Sequence, residues 1–158
     1  MKTLLVVLIL IAGCIGGMST LAPNTARERN TKVVYLPLAG YYGLTKCVDG
    51  EPMVFISSEQ SQENMAATLI HELRHVEQRD AFLTCDGWID KYSSNGHFRI
   101  QSEVDAYCTS LNEMGKMGIY PTIGRIQAEM AILEGVRKLD PSISTKEIQS
   151  YISRFCSG

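Results

Sequence analysis

The segment His71-Glu72-Leu73-Arg74-His75 constrains this chain more than any other feature. Residues four apart sit about 40° apart around a helix axis, so on a helix both imidazoles face one point. Two histidines so placed suit a zinc ion. Glu72, roughly 100° from His71, is too displaced to bind with them but close enough to contact a water on the metal. Zinc lowers that water's pKa toward ~7, and a carboxylate beside it can take the proton as the water attacks a carbonyl. At average composition the H-E-x-x-H pattern arises in under roughly 1% of chains of this size. The segment therefore predicts a helix, with His71 and His75 as zinc ligands and Glu72 as general base.

The surrounding residues agree with a helix. Met65, Ala66, Leu69, Ile70, Leu73 and Val76 form one apolar stripe beside the histidine face. Arg74 and Gln78 fall on the remaining side, where solvent is tolerable. Ser57-Ser58-Glu59-Gln60 reads as a capping box, so the helix is predicted to start there and run to about Arg79.

The rest of the 158 residues predicts one α+β domain, helix-dominated, with a small sheet in front. A net charge of −2 gives no basic footprint, which sets nucleic-acid binding aside. Lys32 to Leu38 reads as a strand. Tyr41 to Ser57 has hairpin character, with a polar turn at Asp49-Gly50-Glu51-Pro52 and the apolar run Met53 to Ile56. Cys85 to Gly96 reads as a loop. Helical spacing recurs at Val104, Tyr107, Cys108, Leu111 and Met114. A third helix fits Thr122 to Leu139, and a fourth follows the capping box Ser144 to Glu147 and ends near Cys156.

The chain opens with Met1-Lys2 and an apolar run from Leu4 to Ala12, the length of a signal-peptide core and too short to span a membrane. Ile11-Ala12-Gly13-Cys14 resembles the lipobox of bacterial lipoproteins. The resemblance implies a signal peptide over 1–13, cleavage before Cys14 and lipid attachment to its sulfur. A polar tether over 14–31 would then lead to a single domain over 32–158. An ordinary secreted protein, cut near Ser19 or Ala22, is the alternative. Either way the domain is expected outside the cytoplasm, anchored to the membrane in the first case.

Export also governs the remaining cysteines. Cys47, Cys85, Cys108 and Cys156 form an even set in an oxidising compartment, without a C-x-x-C pair, so two disulfides are expected. Their three possible connectivities stay open.

A catalytic zinc site needs a third protein ligand. A metzincin continuation would place Gly at 78 and His at 81, where this chain has Gln78 and Ala81. Asp86 and Asp90 lack the Gly-Thr-x-Asp setting of aspartate-ligand families. Glu103-Val104-Asp105-Ala106 lies at the predicted start of the next helix, 28 residues beyond His75. Over roughly residues 53–115 the chain resembles the small, minimal gluzincins. That resemblance implies Glu103 as the third zinc ligand, close helix approach at Ala106, and a substrate cleft edged by the strand Met53 to Ile56. Thermolysin-like enzymes place Asp four residues after the Glu ligand; here that position is Tyr107, and Asp105 points some 200° away from Glu103. His97 is a candidate to stabilise the oxyanion, as are Tyr92, Tyr107 and Tyr120. The expected function is a zinc-dependent peptidase with one zinc per chain, acting on peptide or protein substrates. The alternative is a catalytically silent zinc-binding lipoprotein with a binding or structural role.

Overall fold

A computed structural model describes residues 31–118 and 125–156. The expected signal peptide, Cys14, the tether up to Asn30 and Tyr120 lie outside the described residues. The architecture is α+β. Strands β1 (Lys32–Leu36), β2 (Gly43–Val48) and β3 (Glu51–Ser57) precede helices α1 (Gln62–Arg79), α2 (Cys85–Ser94), α3 (Gly96–Lys116), α4 (Arg125–Leu139) and α5 (Thr145–Phe155).

The sheet has the order β1-β3-β2. β2 and β3 form the hairpin, joined at Asp49 and Gly50. Both turn residues have positive φ, 54° and 81°, as a two-residue hairpin turn matched to strand twist requires. β1 runs parallel to β3, and their register begins at Lys32 opposite Met53. Pro52 thus lies outside that ladder, where its missing N–H costs no β1 bond. β3, carrying Met53 to Ile56, is the central strand and not a cleft edge as expected; the edge nearest the motif helix is β2.

Two apolar layers hold the helices. Val54 and Ile56 of β3 pack on Leu69, Leu73 and Val76 of α1. Ile100, Val104 and Cys108 of α3 pack with Ile132 and Val136 of α4 and with Ile143, Ile148 and Ile152. A third contact, Ala66 and Ile70 against Met114, brings α1 onto α3. Ala106, at helical spacing on the same face as Glu103, Ser110 and Met114, is fully buried, and the Ser110 hydroxyl donates to the Ala67 carbonyl at 2.8 Å. Disulfides join Cys47 to Cys85 and Cys108 to Cys156. The first ties β2 to α2, and the second ties α3 to the end of α5.

Three boundaries differ from the sequence expectation. α1 is capped by Ser61, whose side chain accepts from the Asn64 amide, while Ser57 ends β3. Gln60 instead donates to the carbonyls of Tyr42 and Ser57, fastening the strand-to-helix turn. Cys85–Ser94 is a helix, not a loop: Thr84 caps it by accepting from Gly87, and Trp88 is buried beneath it. α3 begins at Gly96, capped by Asn95, so Glu103 sits mid-helix.

Candidate metal centre

α1 carries His71 and His75 on adjacent turns, with ring centroids 4.9 Å apart. α3, packed alongside, brings Glu103 between them. Its Oε2 lies 3.2 Å from His71 Nε2, and its Oε1 lies 3.2 Å from His75 Nε2. Candidate ligand atoms of all three residues lie within 4.8 Å of one another. His75 and Glu103 are buried, while His71 is partly exposed and forms the open side.

The electrostatics follow from that enclosure. Burial disfavours charge on both His75 and Glu103, but their mutual hydrogen bond and attraction overcome it. His75 is raised to about 9, and Glu103 is held well below the usual carboxylate range by the two histidines. The Tyr92 hydroxyl on α2 donates to Glu103 Oε1. Burial first, then the Glu103 charge, pushes this phenol upward, so it remains a donor at neutral pH. Tyr107 packs edge-on to His71 at 4.5 Å between ring centroids, and burial with the charges of Glu103 and Glu72 pushes it up to about 12.

Glu72 is buried and held by strand β2. Thr45 Oγ1 donates to Glu72 Oε2 at 2.7 Å. A Cβ on Gly43 would come within 2.7 Å of Glu72 Oε1 and 2.5 Å of Thr68 Cγ2. The glycine thus leaves the space that the carboxylate occupies. Neither residue stood out in the sequence, though Gly43 and Thr45, two apart on one strand, share a face.

Arg74 and Gln78 are not on a solvent face. Arg74 grips Asp105 through Nε at 2.8 Å and Nη2 at 3.2 Å, and reaches Glu77 at 2.6 Å. Gln78 lies between His75 and α3. Its Oε1 is 2.9 Å from His75 Nδ1, and its Nε2 donates to the Ser102 carbonyl and Asp105 Oδ2 at 2.9 and 2.8 Å. His97 pairs with Glu147 at 2.8 Å, with a side chain 74% exposed. It ties the start of α3 to α5 and is not one of the clustered residues, because α3 begins two turns before Glu103. Asp86 and Asp90, on α2, are also outside the cluster.

The donor set fits zinc. Two imidazole nitrogens and one carboxylate match a three-ligand catalytic site. Ligand atoms on tetrahedral arms of ~2.0–2.1 Å stand about 3.3 Å apart. The 3.2 Å separations of Glu103 from each histidine already have that spacing. An H-E-x-x-H helix crossed by a second helix that supplies this carboxylate defines a zinc-peptidase-like domain.

Residues 26–85 match the model of the Peptidase_M78 family, described as the IrrE N-terminal-like domain. The match spans the sheet and the motif helix and ends at Cys85, before Glu103. No curated protein and no solved structure gives a significant match to the chain.

Proposed function

We propose that the chain is an exported, membrane-anchored, gluzincin-like zinc peptidase that hydrolyses peptide bonds in peptide or protein substrates. The observation that carries this reading is the approach of Glu103 to both motif histidines, with Glu72 held beside them. A zinc ion held there would supply Lewis acidity and lower the pKa of water, so that it gives up a proton near neutral pH and becomes a competent nucleophile. His71, His75 and Glu103 would hold it. Glu72, fixed by Thr45, takes the attacking water's proton and can pass it to the leaving amine. Tyr92 fixes the Glu103 carboxylate through Oε1. Strand β2, at the sheet edge and in contact with Glu72, would pair with an extended peptide.

Export is supported by the two disulfides, which belong to oxidising compartments. The lipobox-like Ile11 to Cys14 supports the anchor. Among the described residues no helix is long and apolar enough to cross a membrane. Cys14→Ala should release the protein from membranes or leave an uncleaved precursor. Fatty-acid labelling equal in wild type and variant would contradict the anchor.

Hydrolysis of a casein-type substrate tests the activity. It should be abolished by a strong chelator and restored by zinc. Glu72→Gln should keep the metal but lose about 10²–10⁴-fold in rate, because an amide cannot accept the proton. Equal turnover in that variant would contradict the role of Glu72.

A further inference from the structure

Gln78 sits where direct support for a metal-binding histidine would be expected from a carboxylate. Its amide nitrogen carries two hydrogens, and both are used: one meets the Ser102 carbonyl at 2.9 Å, the other Asp105 Oδ2 at 2.8 Å. Both partners only accept, so the amide cannot be turned over without setting oxygen against oxygen. The carbonyl end must then face His75 Nδ1, 2.9 Å away. A carbonyl oxygen accepts only, so Nδ1 must carry a hydrogen, and Nε2, 3.2 Å from Glu103 Oε1, is the nitrogen left to bind a metal. Asp105 is itself held on both oxygens by Arg74.

We infer that Gln78 is a positioning residue that fixes the ring orientation and tautomer of His75 for metal binding, with its own orientation set by Asp105 and the Ser102 carbonyl. The inference rests on the reading of His71, His75 and Glu103 as a metal centre. It gives Asp105 a task its position two residues after Glu103 does not suggest, since it reaches His75 only through the Gln78 amide. A ligand histidine commonly gives its second N–H to a carboxylate or carbonyl. Here that acceptor is an amide whose polarity is chosen by the neighbouring helix.

Zinc affinity, measured by competition with a chromophoric chelator, tests this on wild type, Gln78→Met, Asp105→Ala and the double variant. Gln78→Met should weaken zinc about 10–100-fold. The double variant should be no weaker than Gln78→Met within about threefold, because both act through one amide. In nitrogen-15 spectra of the zinc-loaded protein, wild type should show one His75 form, protonated at Nδ1 and bound through Nε2. Gln78→Met should shift and broaden that resonance, which a merely structural role would leave alone.

Affinity in Gln78→Met within threefold of wild type, or an unmoved His75 resonance, would overturn the inference while leaving the metal centre intact. So would losses that simply add in the double variant. Absence of zinc uptake by wild type would instead overturn the metal centre itself. Should Gln78→Met fail to fold, Asp105→Ala carries the same test: it should move the His75 resonance, and an unmoved one overturns the inference.

Discussion

Glu72 occupies a slot made by two residues of β2, and this dictates what neighbouring substitutions do. Gly43→Ala would push a Cβ against Thr68 Cγ2 and the Glu72 carboxylate. Both are side-chain atoms that can shift, so the fold should survive with about 1–3 kcal/mol lost, seen in denaturant unfolding. Activity should fall much more than zinc affinity, because the general base moves and the ligands do not; matched losses would contradict that division. The His75–Glu103 pair makes the metal-free protein sensitive to pH. Raised to about 9, His75 contributes stability that is complete below the ordinary imidazole range and is lost as pH rises through about 9. Glu103, lowered, contributes stability present above the ordinary carboxylate range and lost as pH falls through its depressed value. Thermal unfolding in chelator should therefore decline between about pH 6.5 and 9. Zinc must displace the His75 proton, so uptake at neutral pH should release protons, measurable in weakly buffered solution. A flat stability profile without proton release would contradict the pair.

At the scale of elements, the site depends on three helices and a strand held in contact, and one disulfide spans part of that frame. Cys47–Cys85 fastens β2, which holds Glu72, to α2, which carries Tyr92. Replacing both cysteines by Ser should cost about 2–4 kcal/mol by releasing a long loop in the unfolded chain. Unfolding midpoints would show this, and no change would mean the crosslink constrains nothing. The final helix is legible because apolar period and the Ser144 cap coincide in it, and the motif helix is legible from its apolar stripe and histidine spacing alone, its cap being Ser61 and not Ser57. α2 was not legible, since Gly87, Asp90, Ser93 and Ser94 imitate a loop. What makes it a helix is the Thr84 cap, the buried Trp88 and the crosslink at Cys85. The start of α3 was obscured likewise, because Gly96 hides the cap at Asn95.

Across the whole molecule, the α+β class and the helix-dominated body follow from hydrophobic period and turn chemistry alone. The order β1-β3-β2 does not, because a parallel pairing between β1 and β3 leaves no local mark in either strand. His71, His75 and Glu103 could be named from spacing and resemblance. The supports from Thr45 and Asp105 could not, since each bond acts across 27 residues of chain and leaves no local pattern. The proposed zinc site stands on two helices held together through the layer around Ile70 and Met114. Elemental analysis with zinc titration of purified wild type, Glu103→Ala and Asp86→Ala tests it most directly. Wild type and Asp86→Ala should take up one zinc per chain, and Glu103→Ala should bind it far more weakly. No stoichiometric zinc in wild type, or full affinity in Glu103→Ala with loss in Asp86→Ala, would show that these three residues do not form the site.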